Sequence, residues 1–151
     1  MPTKTQKTRK EKEMSIKTTN SITKLSANIA ISLFIVVIIL QLLIALGLLP
    51  ISIAWGGRQT ELTPVLRIAS IASAAILGLF AYIIRHRAGL IETKEITLLI
   101  KVFAWIVTIY MAFNTFTNLI SQSTAEKMIF APITIILTVV CFIVSISKKQ
   151  V

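Results

Sequence analysis

Residues 25–57 read LSANIAISLFIVVIILQLLIALGLLPISIAWGG, without one charged side chain. An α-helix rises 1.5 Å per residue, so about 20 mainly apolar residues cross a hydrocarbon core of about 30 Å. Leu25–Leu49 satisfies that length, and Gly47 and Pro50 end the helix. A cleavable signal peptide competes, because Ala45-Leu46-Gly47 places small residues as a cleavage site would. The apolar region is too long for that reading, and three further charge-free stretches follow at Ile68–Ile84, Val102–Ala125 and Ile129–Ser147.

These stretches predict four spans at about 25–49, 64–84, 96–120 and 128–147, forming one membrane domain over residues 25–147. The expected fold is all-α, a four-transmembrane-helix bundle of antiparallel up-down design. Thr63-Pro64 reads as an N-cap followed by proline in the first turn of the second span. Pro132 is internal to a fourth helix that starts near Ser123, so a bend is expected near Phe130. Residues 1–24 hold seven Lys or Arg and much Ser and Thr, and are expected to form a disordered basic tail. Residues 148–151 form a short basic end.

The formal charge of +10 would suggest nucleic acid in a soluble chain. Here the basic residues flank apolar runs, where they mark the cytoplasmic side, and no nucleic-acid partner is expected. Thirteen of the 16 Lys and Arg lie in the tail, the second loop, Lys101 and the C-terminus. Only Arg58, Arg67 and Lys127 lie on the other side. That asymmetry places both termini in the cytoplasm of a multi-pass protein of the cell (inner) membrane. Expected partners are membrane lipid and either another membrane protein or a second copy of the chain.

One cysteine, Cys141, excludes an intrachain disulfide and paired-thiol chemistry. With one histidine besides, His86, neither a zinc site nor a bis-histidine haem is expected, and no cofactor is assigned. Ion-coupled transport normally needs a carboxylate near the membrane midplane. The chain has no Asp, and its Glu residues lie outside the span cores.

The remaining polar residues gather on one side. Asn114 and Asn118 share a helix face, and Ser121 extends it. Arg67 enters the second span from that side, Glu126 precedes the fourth, and Trp55, Arg58 and Glu61 lie in the first loop. In a compact bundle these converge on one outer cluster. Trp55, Arg58, Arg67, Asn114, Asn118, Ser121 and Glu126 are therefore the candidate ligand- or partner-binding residues. Each also has a structural reading. Ser123-Thr124-Ala125-Glu126 fits a capping box, Trp55 an interfacial anchor, and Gly56-Gly57 a turn with positive φ. Arg67 at a helix N-terminus opposes the helix dipole and calls for Glu61 or Glu126 as compensation. Gln41 reads as interhelical packing glue, and Ser70, Ala74 and Gly78 as a close-packing stripe.

Ala54-Trp55-Gly56-Gly57-Arg58, with Arg67, Ser70, Asn114, Asn118, Ser121, Glu126 and Pro132, resembles a group of small bacterial four-helix membrane proteins of unknown function. The resemblance covers roughly residues 30 to 145 and implies only an integral membrane protein. No Cys-x-x-Cys is present to suggest the quinone-linked thiol oxidoreductases of similar span number. Three functional expectations follow. The first is an accessory or structural membrane component. The second is a binder or carrier of a small molecule or lipid, in which Arg58 or Arg67 meets an anionic head group. The third is a membrane-embedded enzyme, for which no nucleophile is identified.

Overall fold

The computed structural model describes residues 4–57, 59, 61–91 and 97–147, and for residues 4, 5 and 7–12 the backbone alone. Its helices are α1 (Lys4–Ala45), α2 (Pro64–Arg87), α3 (Leu98–Ile120) and α4 (Ala131–Ile146), the last preceded by a π-helical segment at Glu126–Phe130. Among the described residues, four helices are long and apolar enough to cross a membrane: Glu13–Ala45, Pro64–Arg87, Leu98–Ile120 and Glu126–Ile146.

The helix ends follow local chemistry. α1 stops at Ala45 because Gly47 takes φ +76°, while the Gly47 amide bonds the Ile44 carbonyl and the Leu48 amide bonds that of Leu43. This is a Schellman ending, which satisfies carbonyls left over at the helix terminus. α2 ends the same way at Gly89, φ +69°, with Gly89 to His86 and Leu90 to Arg85. At its start, the Thr63 hydroxyl accepts the Leu66 amide and Pro64 occupies the first turn. Thr97 caps α3 in the same manner. In the π segment, the Ala131 amide bonds the Glu126 carbonyl five residues back. Pro132 has no amide proton and its ring crowds the carbonyl four residues earlier, so the wider turn relieves the conflict.

Three boundaries differ from the sequence reading, and at one of them α1 ends at Ala45 rather than near Leu49. α1 is already helical at Lys4, where a disordered tail was expected. Lys, Glu, Gln and Met are good helix formers, and no Gly or Pro interrupts residues 4–45. Residues that continue an already formed helix also avoid a new nucleation cost. α2 extends to Arg87, placing Arg85, His86 and Arg87 in its last turn, where cations suit the dipole. The start of the third span at Ile96, the second-loop residues 92–95, and Lys148 and Lys149 lie outside the described residues.

α1 packs most extensively on α2, and α3 on α4, with α1 also against α4. Phe34, Leu77, Phe80, Ile84, Val107, Met111, Leu137 and Val144 form the shared core. Phe34, Phe80 and Tyr110 meet edge to face, with ring centroids 6.3 and 5.2 Å apart, and link α1, α2 and α3. Ser70 and Ala74 of the small-residue stripe are buried. The outward faces remain apolar: Ile35, Ile39, Leu79, Ile109, Phe113, Ile136 and Val139 are all exposed. In water such a surface is unfavourable, whereas hydrocarbon accepts it.

Between α3 and α4 runs a ladder of polar contacts. Asn118 meets Thr134, Thr115 meets Thr138, and Thr108 meets Ser145. Residue numbers rise on one helix as they fall on the other, so this pair is antiparallel. The loop joining α1 to α2 folds back rather than projecting. Ile51 and Ala54 are buried with Ile44 in a small second core, beside Leu49, Leu62 and Leu66.

A polar cavity beneath the Trp55 loop

Three successive residues of the first loop adopt positive φ: Trp55 at +58°, Gly56 at +81° and Gly57 at +70°. Left-handed backbone is easy for glycine but costly for tryptophan, and such strain persists only where surroundings hold it. Here the Trp55 indole Nε1–H donates to the Ser70 hydroxyl at 3.3 Å, and Ser70 is fully buried. The turn aims the Gly56 amide at Glu126, whose Oε1 accepts it at 2.9 Å.

Glu126 is buried, so this charge-assisted bond is a substantial tie between the first loop and the π-helical segment that leads into α4. It replaces the reciprocal half of the expected capping box. The Ser123 hydroxyl does accept the Glu126 amide, at 3.3 Å, as an N-cap should. The Ser123 amide, however, donates to the Ser121 hydroxyl at 3.0 Å, leaving the Glu126 carboxylate free to reach Gly56. Ser123 also donates to the Ser52 carbonyl at 3.1 Å, a second tie between the two loops.

Below these loops lies a cavity of about 330 Å³ among all four helices. Its polar wall is built from Gln41, Trp55, Ser73, Tyr110, Asn114, Thr117, Asn118, Ser121, Glu126 and Thr134. Val37, Ile76, Leu77, Met111, Phe130 and Leu137 supply the apolar wall. Among the described residues that line it, Glu126 carries the one formal charge.

The hydrogen bonds within the wall are unequal. The Thr134 hydroxyl donates to the carbonyls of Phe130 and Ala131, so its oxygen can only accept from a side chain. Asn118 must therefore present its amide nitrogen there, and that nitrogen also donates to Asn114 Oδ1 at 3.1 Å. Both Asn118 protons are engaged, which leaves its Oδ1 as an acceptor. Thr117 spends its proton on the Asn114 carbonyl. Gln41 Oε1 is buried with no partner.

Of the residues singled out by sequence, Trp55, Asn114, Asn118, Ser121 and Glu126 line this one cavity. Arg67 does not. It is exposed and makes no ion pair with Glu126 or Glu61. Arg58 lies outside the described residues. Sequence reasoning left out Ser73, Tyr110, Thr117 and Thr134 and read Gln41 as glue. Ser70, Ser73, Ala74 and Leu77 follow helical spacing, which was the available signal for Ser73. Among the described residues no cluster of His, Cys, Asp or Glu suits a metal ion. Comparison of the chain with protein-family models, with curated proteins and with solved structures gives no match in any of the three.

Proposed function

We propose that this chain is a multi-pass protein of a bacterial inner membrane that binds a small molecule in the cavity beneath its Trp55 loop. The bundle is antiparallel and up-down, with both termini cytoplasmic and the cavity opening toward the outer face. The distribution of Lys and Arg supports that orientation. The observation that carries the binding role is the cavity itself, at about 330 Å³ and with polar lining from all four helices and both adjoining loops. Its size falls at the small end of ligand pockets, which span about 300 to 1,000 Å³.

An accessory role, with the same polar residues simply fastening the loops, is the competing reading. The ties from Glu126 to Gly56 and from Ser123 to Ser52 favour it. Ser73→Phe separates the two, since it fills the cavity without touching either tie. Native mass spectrometry of the full chain, released from membranes in mild detergent, is expected to show a retained small molecule in the wild type. Ser73→Phe should lose that molecule while melting within about 3 °C of the wild type. Equal retention by both proteins would leave the fastening role.

A further inference from the structure

The polar wall of the cavity is not neutral in its demands. Several of its donors are spent within the protein, while the Ser73, Tyr110 and Ser121 hydroxyls and the Asn114 and Gln41 amide nitrogens keep their protons. Both Asn118 amide protons are engaged, the Trp55 indole proton is on Ser70, and the Gly56 amide is on Glu126. Its acceptors are left over. Gln41 Oε1 is buried and unpartnered, and Asn118 Oδ1 and Glu126 Oε2 have no partner among the described residues. Leaving the buried Gln41 Oε1 unpaired is costly, and a carboxylate with no cation beside it among the described lining residues attracts positive charge, so a molecule that fills this space should bring charged hydrogen-bond donors. The lining includes a carboxylate and, among the described residues, no basic side chain, although the whole chain carries +10.

Resting on the binding role above, we propose that the ligand is a small primary or secondary ammonium compound. Its N–H groups donate to Glu126 Oε2 and to the amide oxygens of Gln41 and Asn118. Its hydrocarbon part lies against Phe130 and the aliphatic wall. Asn114 Nδ2 keeps its protons and can serve an oxygen on the same ligand. An anionic head group, the occupant that a reading centred on Arg67 would favour, meets a carboxylate here and no compensating cation.

The same ammonium chemistry occurs in free amines and in the head group of phosphatidylethanolamine. Binding of n-butylammonium, tetramethylammonium and butanoate to the detergent-purified full chain is measured by calorimetry. n-Butylammonium is expected to bind. Tetramethylammonium, which has charge but no N–H, should bind at least about tenfold more weakly, and butanoate not at all. Glu126→Gln retains an acceptor for Gly56 but loses the charge, and should weaken n-butylammonium at least about tenfold. Gln41→Leu, which leaves the loop ties intact, should weaken it several-fold and serves if Glu126→Gln does not fold. Butanoate binding as well as n-butylammonium, or unchanged affinity in both variants, overturns the ammonium assignment. If Ser73→Phe abolishes that binding, the cavity role survives. If Ser73→Phe also leaves binding unchanged, the cavity role falls with it. In nanodiscs, weaker n-butylammonium binding in phosphatidylethanolamine than in phosphatidylcholine identifies the lipid head group as the occupant, and equal binding identifies a free amine.

Discussion

A β-carbon on Gly57 would stand 2.7 Å from the β-carbon of Ser123 and within 2.9 Å of its backbone. The first loop therefore rests directly on the residues that lead into α4, with no room for a side chain. Gly57 also sits at φ +70°. Gly57→Ala combines a left-handed backbone with a clash against main chain, and is expected to cost about 3 kcal/mol. Gly56, at φ +81°, has nothing within 4 Å of such an atom. Gly56→Ala bears the backbone cost alone, about 1 to 2 kcal/mol. Thermal unfolding in detergent should rank Gly57→Ala well below Gly56→Ala, and the opposite order would contradict the close approach.

At the opposite end of the bundle, Arg87 acts as a cap on α4. It is buried, and its Nη2 donates to the Ser145 carbonyl at 3.0 Å and also to the Ser147 carbonyl. These are carbonyls that a helix ending at Ile146 leaves without intrahelical partners, and the cation suits the negative end of the dipole. Hydrogen bonds to charged groups contribute about 1.5 to 3 kcal/mol. Arg87→Met should therefore destabilise by about 2 kcal/mol and speed amide exchange in the last turn of α4. Arg87→Lys keeps the charge without the planar fork and should recover only part of the loss. Exchange unchanged in Arg87→Met would remove the capping role.

The parts of this fold that were legible in sequence are those fixed by local chemistry. The presence of four long apolar helices follows from the uncharged runs, the α2 start from Thr63-Pro64, and the shared face of Asn114 and Asn118 from their spacing. What was hidden depends on residues far apart in the chain. Glu126 has an evident local job in a capping box, and nothing nearby announces that Gly56, 70 residues away, takes its carboxylate instead. Gln41 is a lone amide in an apolar helix. Its place in the cavity follows from the rotation of α1 against α2 and α4, which periodicity alone leaves open. The extension of α1 to Lys4 was obscured for another reason. Charge density reads as disorder, while the same Lys, Glu and Gln residues are strong helix formers once a span is anchored beside them.

The ladder between α3 and α4 makes an energetic distinction. Thr108 donates its proton to the Ala104 carbonyl, so Ser145 is the donor in their 3.0 Å contact. In the Thr115–Thr138 pair, both hydroxyls already donate to carbonyls of their own helices. That contact has no proton to spare. A double-mutant cycle with Thr108→Val and Ser145→Ala should give a coupling of about 0.6 to 2 kcal/mol, the range for interhelical hydrogen bonds in membranes. The cycle with Thr115→Val and Thr138→Val should give a coupling close to zero. Equal couplings would show that the proton bookkeeping does not govern this interface.

Orientation is testable without any ligand. Cys141 is fully buried, so the native thiol gives no background toward a membrane-impermeant maleimide. Gln59 and Gln122 are exposed in the two loops at the Trp55 end, and Lys17 is exposed on the N-terminal part of α1. If the thirteen Lys and Arg of the tail, second loop, Lys101 and C-terminus hold their side in the cytoplasm, Gln59→Cys and Gln122→Cys label in intact cells. Lys17→Cys should then label only after lysis. Labelling of Lys17→Cys in intact cells, with both loop positions silent, would invert the bundle and turn the cavity toward the cytoplasm. Labelling of one loop position without the other would break the four-span arrangement itself, because the loops flanking the cavity share one face only if α2 and α3 both cross.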